Sequence, residues 1–173
     1  MTNYAERLKN LDDKKLMDVV KNYRQYGYDE SIRATAISIL ETRGITQQEL
    51  EITGNFSNKT YDHATKLYYS FSKNSKIAFI LFVIILLTNV LIPIVVSLEF
   101  PENLIIVSNW ILIIAYFIFL IKSFLNQYHC YKIIKQDYGG EGILMYFFLG
   151  MPFYIFMYFY FRKQMKERIN EIK

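Results

Sequence analysis

The sequence predicts an all-α, multi-pass α-helical membrane protein with a small N-terminal cytosolic helical hairpin module. Three observations predict it. Charge is unevenly spread along the 173 residues: residues 1–75 carry 11 Lys/Arg and 10 Asp/Glu, whereas 76–161 carry only four of each. Two uncharged apolar runs, 77–96 and 104–121, are long enough to span a bilayer at 1.5 Å per helical residue. The polar first third has helical apolar spacing but too few apolar residues for a large core. Together these exclude a soluble globular domain, a disulfide scaffold and a disordered chain. The single cysteine, Cys130, excludes an internal disulfide and a multi-cysteine zinc site.

The expected organisation follows the charge map. Residues 1–56 form the module, 57–75 a juxtamembrane amphipathic helix, 76–161 the membrane region and 162–173 a basic amphipathic tail. The first residues lack an apolar run, so no cleaved signal peptide is expected and the N-terminus is expected in the cytosol.

Within the module, Asp12 is the expected N-cap of a first helix, with Leu11 as its hydrophobic staple. Leu16, Val19 and Val20 follow at helical spacing. A second helix runs from about Asp29 to Arg43 with Ile32, Ala36, Ile39 and Leu40 on its apolar side, and Gly44 suits the position after its end. Thr46 and Glu49 have capping-box spacing. The turn-rich stretch 53–60 contains glycosylation sequons at Asn55 and Asn58, which a cytosolic location would leave unused. From 61 to 75, Ala64, Leu67, Tyr68 and Phe71 mark one helix face, expected to lie on the membrane surface.

The linker between the two apolar runs has two acidic residues and no basic one, so they are expected to form an antiparallel hairpin. A third apolar segment, 143–161, has Gly150 and Pro152 at its centre as a kink or hinge; Pro93 is a further kink candidate in the first span. The basic residues conflict with three complete spans. Those before 77, those after 121 and those after 161 all favour the cytosol. Either the tail is exported against that rule, or 143–161 enters and leaves on one face, broken at 149–152.

Chemistry is sparse. The spans hold no Asp, Glu, Lys, Arg or His, which argues against ion-coupled transport and intramembrane hydrolysis. Thr88, Asn89, Ser108 and Asn109 are the polar residues within the first two spans, expected at similar depth as helix–helix contacts. Pro93 frees the Asn89 carbonyl four residues earlier. His129 and Cys130, with Asp137 and Glu141 downstream, match no metal-ligand spacing. The glycines at 139–142 lack the lysine of a phosphate loop and read as a hinge. Trp110 fits an interfacial belt. Arg162, Lys163, Lys166 and Arg168 are expected to contact anionic lipid, with Met165, Ile169 and Ile172 on the opposite, apolar face of the tail.

No catalytic residue, cofactor or metal is expected, and no nucleic-acid partner or small-molecule substrate is indicated. The expected partners are the lipid bilayer and a protein, or a second copy of the chain. The functional expectation is a non-enzymatic accessory, scaffold or regulatory subunit in a bacterial cytoplasmic membrane. The alternatives are a homo-oligomeric passive channel or transporter and an immunity-type membrane protein.

Overall fold

The computed structural model describes residues 2–96, 101–134 and 153–172. The structure is all-helical, 83% helix with no strands among the described residues. The helices are α1 (Thr2–Lys9), α2 (Asp13–Asn22), α3 (Glu30–Thr42), α4 (Gln47–Ile52), α5 (Lys59–Val96), α6 (Glu102–Ile134) and α7 (Tyr154–Asn170). The chain divides into two compact units, Met1–Asp62 and His63–Glu171.

The first unit is built from short capped helices. The Asp12 carboxylate accepts the Lys15 N–H at 2.8 Å to start α2. Asp29 accepts the Ile32 N–H at 3.0 Å to start α3, and Thr46 accepts the Glu49 N–H at 3.2 Å to start α4. Each cap satisfies a donor that the first turn leaves orphaned. Helix α3 is closed by Gly44, two residues past its end, whose φ of 90° lies in the left-handed region. The Gly44 N–H donates to the Glu41 carbonyl and the Ile45 N–H to the Leu40 carbonyl, each at 3.0 Å. This is a Schellman closure, and it turns Ile45 back toward the core.

The core contains Leu16, Val19, Val20, Ala36 and Leu40, all buried, together with Leu8 and Leu50. Ile32 and Ile39 are half-buried at its rim. The module is therefore larger than a hairpin, because α1 and α4 each add a buried leucine to the α2–α3 core. Arg43 ties the layers together. Its guanidinium donates to the carbonyls of Lys9 (2.7 Å) and Leu11 (2.8 Å) and to Asp13 (2.8 Å).

The second unit rests on two long helices. Residues 61–75, expected as an amphipathic juxtamembrane helix, lie in the first turns of the 38-residue α5. No Gly or Pro interrupts residues 59–92, so nothing ends the helix at the start of the apolar run. The helix also continues through Pro93 to Val96. Helix α6 likewise extends beyond its apolar run to Ile134 and carries His129 and Cys130.

Side-chain contacts fix the register of this unit. The Cys130 thiol lies 3.8 Å from the Ala64 carbonyl, and the Phe82 and Tyr116 rings are 5.8 Å apart. Helices α5 and α6 are therefore antiparallel. Helix α7 begins beside the same rings: Tyr154 stands 6.0 Å from Phe82 and 5.7 Å from Tyr116. Tyr158, one turn further on, stacks on Phe79 at 4.6 Å. Helix α7 thus runs parallel to α6, toward the end of the unit where α5 starts. It joins the second half of the third apolar segment to the basic tail without a break. Residues 143–152, including Gly150 and Pro152, lie outside the described residues, as do Asp137, Glu141 and the glycines at 139–142.

Candidate interaction surfaces

Burial within the second unit is confined to one half. On α5 the buried stripe is Ala64, Phe71, Ser75, Ala78 and Phe82; on α6 it runs from Tyr116 through Leu120, Ser123 and Gln127 to Tyr131. Helix α7 contributes Tyr154, Met157, Tyr158, Phe161, Met165 and Ile169. Met165 and Ile169, on the apolar face of the basic tail, are therefore packed within the protein. Beyond Phe82 on α5, and before Tyr116 on α6, no described side chain is buried. Leu87, Val90, Leu104, Trp110 and Ile111 are all half or more exposed there.

A groove of about 410 Å³ separates the two bare segments. Thr88, Leu91 and Ile92 line it from α5; Leu104, Ile105, Ser108, Asn109 and Leu112 line it from α6. Three of the four polar span residues thus meet at one place. Thr88 donates to its own helix at the Ile85 carbonyl, 3.0 Å away. The Asn109 side-chain oxygen is buried with no partner among the described residues. Asn89 does not join the lining. It is exposed, and its amide donates to the Ile85 carbonyl at 2.7 Å. Asn89 and Asn109 do not pair with each other here, because Asn89 lies outside the groove lining and satisfies a carbonyl of its own helix.

The first unit carries two polar clusters. Arg33 is clamped between the rings of Tyr23 (4.8 Å) and Phe56 (4.2 Å). It donates to Glu30 at 2.7 Å and to the Phe56 carbonyl at 2.9 Å. The Tyr23 hydroxyl hydrogen-bonds Glu30 and, with Arg33, holds its carboxyl below the usual range. In the second cluster, Tyr26 and Asn22 both donate to Asp18, at 2.6 and 2.8 Å. The buried Asn58 amide donates to Asn22 at 2.7 Å, while its carbonyl caps Tyr61. The Asn58 sequon is thus a structural cap with its nitrogen already occupied. Sequence reasoning could have found this cap, since Asn58 stands directly before α5.

A surface that the sequence did not single out is aromatic. The Tyr4 and Tyr28 rings are 6.4 Å apart and those of Tyr26 and Tyr28 are 5.8 Å apart. Tyr4 and Tyr26 are about half exposed, and Ile52 is 79% exposed.

On α7, Lys163, Lys166 and Arg168 are exposed and Arg162 is half-buried against Tyr158, to which it donates. Lys163 and Arg168 make surface ion pairs with Glu167 and Glu171. Among the described residues, no group of three or more His, Cys, Asp or Glu side chains gathers as a metal site would require. Comparison with known proteins returns no matching family model, curated sequence or solved structure.

Proposed function

We propose that the chain is a multi-pass integral membrane protein acting as a non-enzymatic accessory or scaffold subunit, with Met1–Asp62 on the cytosolic side as the part that recruits a protein partner. The observation that carries the membrane reading is exposure. Two helices are long and apolar enough to cross a membrane, and only 17% and 11% of their most apolar windows are buried. The core helix of a soluble protein would bury most of that surface. The direction of α7 supports placing its basic end with those of α5 and α6. A segment that enters and leaves on one face meets the positive-inside preference for all three.

The partner reading rests on the Tyr4–Tyr26–Tyr28 cluster and Ile52. Exposed tyrosines supply large contact area at low entropic cost and are enriched among binding hot spots. Tagged protein purified in mild detergent should carry one stoichiometric partner. Changing Ile52→Asp and Tyr26→Ala should strip that partner without releasing the chain from the membrane. Unchanged recovery of the partner would defeat the reading.

A second reading, a homo-oligomeric passive channel, is favoured by the unpartnered Asn109 oxygen in the groove. It requires Asn109→Leu to alter flux in liposomes while the oligomer stays intact.

A further inference from the structure

Each of the three apolar stretches in the second unit ends in a cation. The uncharged run of α5 begins after Lys76, that of α6 ends before Lys122, and that of α7 ends before Arg162. The register places these three residues at one level. Lys76 is six residues from Phe82, and Lys122 is six residues from Tyr116, the ring that Phe82 contacts. Both displacements are about 9 Å along the helix, toward the same end of the unit. Arg162 is one turn beyond Tyr158, which stacks on Phe79, itself three residues from Lys76. The three charges therefore fall within about one helical turn of a common plane. Lys76 and Lys122 are exposed and Arg162 half-buried. Among the described residues none of the three pairs with a carboxylate.

From that plane to the far end of the hairpin, α5 and α6 each run about twenty residues without a basic side chain, about 30 Å, the thickness of a bilayer core. The apolar part of α7, Tyr154–Phe161, covers about 12 Å, less than half of it.

We propose that Lys76, Lys122 and Arg162 form one cationic girdle that binds the phosphates of anionic lipids in the leaflet facing the basic end of the unit, with α7 reaching only part-way into the bilayer. This rests on the membrane reading above and adds its depth, its lipid class and the residues that set both. The aromatic rings just inside the plane suit this role. Lys122 lies 5.8 Å from the Phe119 ring and Arg162 5.1 Å from the Tyr158 ring, so apolar stems and rings share the boundary while the charged heads face the phosphates. Guanidinium and ammonium donors both suit phosphate oxygens.

The test uses full-length protein in vesicles of equal parts phosphatidylcholine and phosphatidylglycerol, extracted gently and weighed with its retained lipids by native mass spectrometry. The wild type should retain phosphatidylglycerol in preference to phosphatidylcholine. The triple variant K76Q/K122Q/R162Q should lose roughly a hundredfold in apparent affinity for it, at about fivefold per charge. The variant K9Q/K14Q/K21Q removes the same charge from the first unit and should retain the lipid. Equal retention by the girdle variant, or an equal loss in the control variant, would overturn the girdle. Alkaline carbonate washing of the same vesicles separates the two claims. Girdle variant and wild type should both stay in the pellet, whereas release of the wild type would overturn the membrane reading on which the girdle rests.

Discussion

The second unit has two halves made from the same helices with opposite habits. Toward the start of α5, three helices share a core of aromatic and small polar residues: Phe71, Ser75, Phe82, Tyr116, Ser123, Gln127 and Tyr154 are all buried. Toward the far end, among the described residues, only α5 and α6 continue, with leucine, isoleucine and valine turned outward. The difference lies in what each half needs from its surroundings. The first half satisfies its apolar stripes internally, because stripes at helical spacing on three helices face each other. The second half buries none of its described side chains and requires lipid or another apolar surface. The same helix can therefore be a packed stalk at one end and a bare span at the other, and hydropathy alone separates the two poorly.

Substitutions break or sharpen this contrast. Tyr154→Ala should have the largest effect, because the ring is almost completely buried among Phe82 and Tyr116 and its hydroxyl donates to the Ser75 carbonyl at 3.3 Å. A loss of about 3–5 kcal/mol is expected, read as the shift in thermal unfolding in detergent. Leu87→Ala, in the bare half, should shift the same transition by less than about 0.5 kcal/mol. A large effect there would mean that a partner copy covers that face. Asn109→Leu removes an unpartnered buried oxygen from the groove. It should leave the monomer unchanged or slightly more stable, and should cost about 0.6–2 kcal/mol only if another helix supplies the missing donor. Analytical ultracentrifugation of the two proteins decides between these.

Cys130 distinguishes the halves kinetically. It is 1% exposed in the packed half, so native protein should react slowly with maleimide and denatured protein at once. A cysteine placed at the exposed Leu87 position, with Cys130→Ser, should react quickly in detergent.

Acid acts on the first unit. The Lys15 N–H holds the Asp12 carboxyl below its ordinary range, and the Ser31 hydroxyl, with the Ile32 N–H, does the same for Asp29. A depressed folded pKa stabilises the fold fully above the unfolded value near 4, and that contribution disappears as pH falls through the folded values. Denaturation of Met1–Asp62 should therefore become easier below about pH 4, with little change between pH 6 and 8. Asp29→Asn should reduce this acid sensitivity while keeping the cap.

Much of this architecture was legible because it is local. Asp12, Asp29 and Thr46 announce helix starts, Gly44 announces an end, and the apolar runs announce the long helices. Leu16, Val20, Ala36 and Leu40 sit at the spacing their burial requires. What stayed hidden is tertiary. Leu8 and Leu50 enter the core only because α1 and α4 fold back onto the α2–α3 pair. The continuity of α5 was readable, since neither Gly nor Pro lies between 59 and 92, but the amphipathic pattern of 61–75 did not say that Ala64 would meet Cys130 on α6. The direction of α7 follows from Tyr154 meeting Phe82 and Tyr116, a contact between residues far apart in sequence that no periodicity encodes. The interaction surfaces were less legible still. Asn89 and Asn109 look alike in sequence, yet one bonds its own helix and the other lines a groove.

Single-cysteine labelling across an intact bacterial membrane tests the central claim most directly. With Cys130→Ser as background, cysteines are placed at Asn10 in the first unit, at Glu102 at the far end of the hairpin and at Lys166 on α7. An impermeant maleimide applied from outside should label only the Glu102 position, and permeabilised cells should label all three. Labelling of the Lys166 position from outside would contradict the account, because the basic end of α7 would then lie across the membrane from the start of α5.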